Sequence, residues 1–274
     1  MIGFSVDKDA CIGCGACVRD CLPGVLHLDG GVPAMRDEGR CMRCQHCLAV
    51  CPTGAIALMG NRAEGSTPLE GAFPGAGQLE TLFRGRRSVR QYRQRNVDPA
   101  LIREVLESAA HAPTGGNAQR LLVTVVDDIA VMNAFREAVY RRLGELAEGD
   151  AMPDHPRRAF FMSVAQRWKD GHDDIFRTAP HCVVVSNAGD ATCVEQDPLI
   201  YLSYYELMAQ ARGLGTVWCG LLYWCLRDML PEFLPRLGIP ETHRIGYAML
   251  FGYPAATYRR TVENRRAEIQ SAAW

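Results

Sequence analysis

Eight cysteines carry the first chemistry for which this sequence can be read. Cys11, Cys14, Cys17 and Cys21 form one CxxCxxCxxxC string, and Cys41, Cys44, Cys47 and Cys51 form a second, followed by Pro52. Thiolates are soft ligands, and four of them close together bind iron-sulfur clusters or zinc. Three cysteines at three-residue steps wrap one cubane on a tight loop, while the fourth, on the following helical turn, points to a second cluster. On that geometry one 4Fe-4S cluster takes Cys11, Cys14, Cys17 and Cys51, and the other takes Cys41, Cys44, Cys47 and Cys21. Zinc is the competing occupant, because Cys₄ sites also use CxxC pairs, but the CxxCxxC core of both strings favours iron-sulfur. Gly13, Gly15 and Ala16 leave backbone amides free to approach the sulfurs, and donors there raise the reduction potential. His46, between two ligands, could tune its cluster or be an ordinary exposed loop residue. A purely structural role for the clusters is the plainer alternative to electron transfer.

The two strings are copies, each cysteine displaced by thirty residues, and the offset carries Asp7 to Asp37, Gly24 to Gly54, Leu26 to Ile56, Leu28 to Leu58 and Gly30 to Gly60. Each copy reads as a Cys-rich loop and helical turn, then a short strand (Val25 to Leu28, Ala55 to Leu58) ended by glycine. Sixty residues make a poor hydrophobic core, so bound metal has to supply what the core lacks. Residues 3 to 60 resemble a bacterial-type two-cluster ferredoxin. One departure is Leu22-Pro23 after Cys21 instead of an immediate proline, which alters the loop and leaves ligation in place.

The elements around this region bound the class of protein. With 274 residues, 48% apolar and 22% charged, the chain is too apolar to be disordered and long enough for two modest domains. Its twelve cysteines are concentrated at one end and no basic, then apolar, leader opens the chain. The reading is therefore a reducing cytoplasm, not a secreted disulfide scaffold. No apolar stretch is long enough to span a membrane; the best window, Gly213 to Met229, is broken by Arg227 and Asp228. A formal charge of −1 argues against a general nucleic-acid surface. Arg84, Arg86, Arg87, Arg90, Arg93 and Arg95 nevertheless cluster, as a solvated basic face or an anion site.

Residues 61–78 are rich in Gly, Pro and Ala without apolar periodicity and read as a linker between a domain at 1–60 and one at 79–274. In the second domain Asp98 and Pro99 open a helix through Ala109. Met132 to Leu146 and Leu199 to Arg212 are helical, the latter capped by Asp197-Pro198. Leu121 to Val126, Cys182 to Ser186 and Arg244 to Tyr253 have the content of buried strands. This interleaving predicts an α/β or α+β layer.

The run Arg86-Arg87-Ser88-Val89-Arg90-Gln91-Tyr92 gains meaning from its company. Asn117 and Gln119 lie in the PTGGNAQ loop, Gly213-Leu214-Gly215-Thr216 precedes Trp218 and Gly220, and Gly252-Tyr253-Pro254 and Tyr258-Arg259-Arg260 follow. In this order they resemble the FMN-dependent nitroreductase family over residues 79 to 265. Against the family pattern, Arg120-Leu121 stands where Gln is often followed by Pro and an aromatic residue. The resemblance implies an α+β domain with a mixed or antiparallel central sheet flanked by helices, FMN as cofactor and a homodimer wrapped by the tail from Tyr253. It also implies a small-molecule electron acceptor, such as a nitroaromatic or a quinone, and ferredoxin or NAD(P)H as donor. Arg86, Ser88 and Arg260 would then hold the phosphate, Arg87 would be a further FMN contact, and Arg90 would reach the pyrimidine edge of the flavin. Asn117, from its own or the partner subunit, and Gln119 would bond the ring or ribityl chain, with Trp218, Cys219, Gly220 and Leu221 facing flavin N5.

The rest of the reading is bland. Cys182, Cys193 and Cys225 read as buried small hydrophobes and Cys219 as the exception, beside the flavin. His111, His155, His172 and His181 show no metal spacing and read as surface or helix-end residues. Glu195 and Asp197 could pair as acid and base, though Asp197 before Pro198 is more simply an N-cap. Tyr201, Tyr204, Tyr205, Trp218, Tyr223 and Trp224 line an aromatic pocket or fill the core. No side chain stands out as a proton donor. Two rivals remain: a flavin reductase or dehydrogenase fed by NAD(P)H that sends electrons out through the clusters, and a non-catalytic electron-transfer or redox-sensing module.

Overall fold

The computed structural model describes residues 2–263, 267–272 and 274. It divides into two units, residues 1–74 with 116–118, and residues 75–115 with 119–274.

The first unit contains β1 (Ser5–Val6), α1 (Ala16–Arg19), β2 (Leu26–Asp29), β3 (Val32–Met35), α2 (His46–Ala49) and β4 (Ile56–Ala57). β1 pairs with β4 and β2 with β3, all antiparallel. The second repeat thus sends its strand back to the segment before the first string. The strand β3 is an addition to the sequence reading, turned back on β2 at Gly30-Gly31. Only Cys17, Val25, Leu26, Leu48 and Ile56 form the buried cluster here, as small as the length requires. The repeat is visible in the backbone: positions 13 and 15 have φ of 67° and 69°, and positions 43 and 45 have φ of 55° and 61°. Glycine fills the first pair without strain, whereas Arg43 and Gln45 occupy the left-handed region at a cost of about 1 kcal/mol each.

The second unit runs α3 (Ala76–Gly85), α4 (Pro99–Ala109), β5 (Leu121–Val126), α5 (Ile129–Glu148), α6 (Arg158–Lys169), β6 (His181–Ala188), α7 (Gln196–Ala211), β7 (Gly215–Trp218), α8 (Gly220–Trp224), α9 (Phe233–Arg236) and β8 (His243–Gly252). Four strands form an antiparallel sheet in the order β5-β6-β8-β7. All eight residues of β6 are buried, because helices cover both faces. Cys182, Val184, Ala248 and Leu250 pack with residues of α5, α6 and α8, while Val183, Val185, Met249 and Phe251 pack with α4 and α7. That alternation is the period-two geometry of a strand. The α+β architecture with an antiparallel sheet is as expected. The helix α3 begins inside the expected linker, and α6, β7 and α8 were not legible. No helix among the described residues is long and apolar enough to cross a membrane.

Two sequence expectations need correction. Asp197 does not cap α7 but lies within its first turn, 3% exposed. His181 is no surface residue: it is fully buried at the start of β6, its ring against Phe251 at 5.1 Å. The Val97 N–H donates to its Nε2 at 3.0 Å, which requires a neutral ring at that nitrogen. Burial pushes its pKa below the ordinary 6.5, against opposing contributions from the Val126 backbone, Asp127 and Asp128. The unfolded chain therefore protonates first, and this contribution to stability is complete above about pH 6.5 and declines as pH falls below it. Urea midpoints from pH 7 to 5 are expected to fall more steeply in the native protein than in His181→Gln, by up to about 1.4 kcal/mol per pH unit. Parallel curves would overturn this role for His181.

Candidate functional site

The cysteines of the first unit gather into two pockets. One is lined by Cys11, Cys14, Cys17 and Cys51 with Ile12, Gly13 and Gly15. The other is lined by Cys41, Cys44, Cys47 and Cys21 with Met42, Gln45 and His46. Each pocket thus takes three cysteines from one string and the fourth from the other. That exchange arises because the fourth cysteine follows the short helix and is carried away from its own loop. A CxxCxxC core completed by a fourth thiolate from the other string suits a cubane better than zinc. Burial raises the Cys17 thiol and pushes Cys47 up to about 11, so a bound metal must displace protons there. His46 is exposed and its Nδ1 lies 3.1 Å from Asp20 Oδ2, an inter-repeat contact.

In the second unit the Arg86–Tyr92 run is fastened to β7. The Val89 N–H donates to the Thr216 carbonyl at 2.8 Å, and Ser88 bridges Thr216 in parallel. A Cβ at Gly215 would stand 2.6 Å from a Val89 methyl, so glycine is what lets the run lie this close. Tyr92 is buried, and its hydroxyl donates to the Val89 carbonyl at 2.7 Å, folding the run into a turn. Below it lies a carboxylate that the sequence reading missed. Glu206, on α7 and 7% exposed, accepts from Arg86 Nη1 at 3.0 Å and Thr216 Oγ1 at 3.4 Å through Oε1, and from Trp218 Nε1 at 3.1 Å through Oε2. The available signal was a lone acid within the apolar helical stretch YYELMAQA, since a buried carboxylate requires partners.

The arginine cluster separates into different jobs. Arg84 pairs with Glu80 and Glu263. Arg93 donates to the Pro254 carbonyl and Arg95 lies over the Tyr253 ring, 4.2 Å from its centroid. Arg87 bonds the carbonyls of Arg84 and Gly85, and the exposed Arg90 that of Ser88. Arg86 and Ser88 share the β7 frame with Trp218, whereas Arg260 is exposed in the chain after β8. Asn117 groups with the first unit. Gln119, in the second unit, donates its N–H to Thr114 Oγ1 at 3.0 Å.

The segment after β7 is set by Cys219. Its N–H donates to the Ala248 carbonyl at 2.9 Å, so that amide is already engaged. Its thiol lies 3.2 Å from the Ile175 carbonyl and accepts the Leu222 N–H at 3.4 Å, capping α8. Burial pushes this thiol up to about 12, which makes it a packing and capping group and not a nucleophile. Cys182 and Cys225 are buried as expected, but Cys193 is half-buried and packs on Gly115.

Strand polarity brings the loop before β5, the loop after β6, the end of β7 and the start of β8 to one end of the sheet. Asp197 ties two of these together, accepting the Gly115 N–H at 3.0 Å and the Asn187 amide at 3.3 Å; it is not half of an acid-base pair. A cavity of about 610 Å³ opens at this end, lined by Glu195, Tyr223, Arg227, Arg244 and Tyr247 among others. The rings of Tyr223 and Tyr247 stack at 4.8 Å, and Trp218 meets Tyr247 edge-on at 5.4 Å. Tyr201 and Tyr205, by contrast, are core residues.

Two family models match the chain. Residues 83–253 match the nitroreductase family model, and residues 10–55 match that of the 4Fe-4S dicluster domain. A protein of Thermus thermophilus named NADH dehydrogenase is 46% identical over 180 residues, covering 62% of this chain and 83% of that protein. A ferredoxin of Thermococcus litoralis is 45% identical over 56 residues, covering 20% of this chain and 93% of the ferredoxin. Among solved structures, an FMN-bound nitroreductase from Bacteroides fragilis has the same fold at 22% identity (TM-score 0.54, covering 71% of this chain and 99% of that one). The chain therefore belongs to the nitroreductase family and carries, ahead of the nitroreductase region, a 4Fe-4S dicluster domain.

Proposed function

We propose that this FMN-dependent, iron-sulfur oxidoreductase moves electrons between its two 4Fe-4S clusters and FMN to reduce a small planar electrophile, such as a nitroaromatic or a quinone. The observation that carries the reading is the frame in which Arg86, Ser88 and the Trp218–Leu221 segment are fixed against β7, in a chain that also holds two four-cysteine pockets. FMN supplies the conversion between one-electron and two-electron transfer.

Arg86, Ser88 and Arg260 serve as charge-assisted donors to the phosphate, with Arg87 beside them. Arg90 holds the pyrimidine edge, where a cation favours the anionic reduced ring. Gly220 and Leu221 present backbone N–H groups toward N5, and Asn117 and Gln119 bond the ring or ribityl chain. The acceptor occupies the cavity beside this segment, whose Tyr223–Tyr247 wall offers ring faces. Water delivers the proton that no side chain among the described residues is placed to give. A homodimer suits the apolar surface left open by Leu79 and Phe83 on α3 and by Leu199 and Tyr204 on α7. Free cysteines suited to clusters fit a reducing cytoplasm.

A second reading is favoured by the name of the Thermus relative: NADH feeds the flavin, and electrons leave through the clusters. Anaerobic stopped-flow spectroscopy separates the two. The first reading expects reduced ferredoxin to bleach the clusters before the flavin, and a nitro or quinone acceptor to restore the colour. Flavin bleached first by NADH would establish the second. Reduced protein that no such acceptor reoxidises would leave a non-catalytic electron-transfer module.

A further inference from the structure

Glu206 has no part in the flavin-binding run, yet it touches both ends of the frame proposed to hold the cofactor. Its Oε1 accepts from Arg86, assigned to the phosphate, and its Oε2 from the Trp218 indole, at the start of the segment assigned to N5. Thr216, which ties the run to β7 through its carbonyl, donates its hydroxyl to the same carboxylate. We propose that Glu206 is the positioning residue of the flavin site, a single buried carboxylate that fixes the Arg86 guanidinium and the Trp218 segment relative to each other. This rests on the flavin reading above.

A carboxylate at 7% exposure stays charged at low cost only if donors surround it, and three converge here. An arginine side chain is long and loses much rotamer entropy when it binds a ligand. A guanidinium already held at Nη1, with its side chain 29% exposed, pays that entropy before the phosphate arrives. The carboxylate also opposes the phosphate electrostatically. Positioning outweighs this repulsion, so the sign of the change in FMN affinity tests it.

Glutamine at 206 keeps the shape but offers one acceptor oxygen and one donor nitrogen. It cannot accept from Arg86 and Trp218 on opposite sides, so one of them must move. The measurement is FMN affinity of the deflavinated full chain by flavin fluorescence titration, with Tm recorded in parallel. Glu206→Gln is expected to weaken FMN binding about tenfold, a loss of one charge-assisted hydrogen bond's worth of placement. Glu206→Asp is expected to recover part of it. In an Arg86→Ala background the same Glu206→Gln change is expected to cost clearly less, because half of its action passes through Arg86. Unchanged or tighter FMN binding in folded Glu206→Gln would overturn the proposal, even if Tm falls, and would leave Glu206 a merely structural residue. Should Glu206→Gln fail to fold, Trp218→Phe removes the indole donor while leaving both charges. It is expected to weaken FMN several-fold, and unchanged affinity would equally overturn the proposal. If native apoprotein takes up no FMN at all, the flavin reading fails and this inference with it, an outcome distinct from native binding with an indifferent variant.

Discussion

Cys14→Ala is expected to remove one cluster and leave the flavin. Cys14 lines the pocket shared by Cys11, Cys17 and Cys51, and a cubane with one thiolate missing loses an iron-binding corner that the exposed loop cannot replace. Iron and acid-labile sulfide should fall to about half, with the ferredoxin-type visible absorbance and electron paramagnetic resonance signal of the reduced protein diminished accordingly. The flavin band should persist, because the second unit buries a core of its own on both faces of its sheet. The largest buried cluster of the first unit among the described residues is small, and Cys17 is part of it, so its melting temperature should drop when the metal is lost. Loss of both chromophores together would show that the units do not hold their cofactors independently.

Arg86→Ala is expected to have two separable effects. The first is on the fold: Glu206 is left without its cation, retaining Thr216 and Trp218. Because the Arg86 side chain is 29% exposed, the pair is partly solvated, and the cost should be about 2 kcal/mol, below that of a fully buried pair. Denaturant midpoints measure it. The second is on the cofactor: removing one charge-assisted donor to a phosphate of nearly two negative charges should weaken FMN by tenfold to a hundredfold. Flavin retained on dialysis as in the native protein would take Arg86 out of the phosphate site.

How far these residues could be found by reading depends on their kind. The cysteine strings were legible because a cluster demands one residue type at fixed spacing, and a thirty-residue offset makes that spacing visible twice. The Arg86–Tyr92 run was legible only in company, since each of its residues alone suits a basic helix end. Strands β5, β6 and β8 and helices α5 and α7 followed from periodicity, and helix α4 from periodicity with its Asp98 cap. The strand β7 was missed because four residues after Gly213 carry too little pattern, and β3 because its pairing depends on the turn at Gly30-Gly31. His181 and Asp197 were misplaced for a common reason. A polar residue at an element's end is usually solvated, and only packing from other elements reveals that it is not.

The sequence by itself determined that eight thiols make two four-ligand sets and that the remainder alternates helices and strands. Those properties are local, set by spacing, periodicity and caps within a few turns of chain. Only the tertiary structure decided that Val89 can rest on Gly215 and that one glutamate joins Arg86 to Trp218. Arg86 and Glu206 are 120 positions apart, and no local pattern encodes such a meeting. It exists because the run adds itself to the edge of β7 while α7 packs against the sheet beside it. A buried charge is tolerated where those elements bring donors to it.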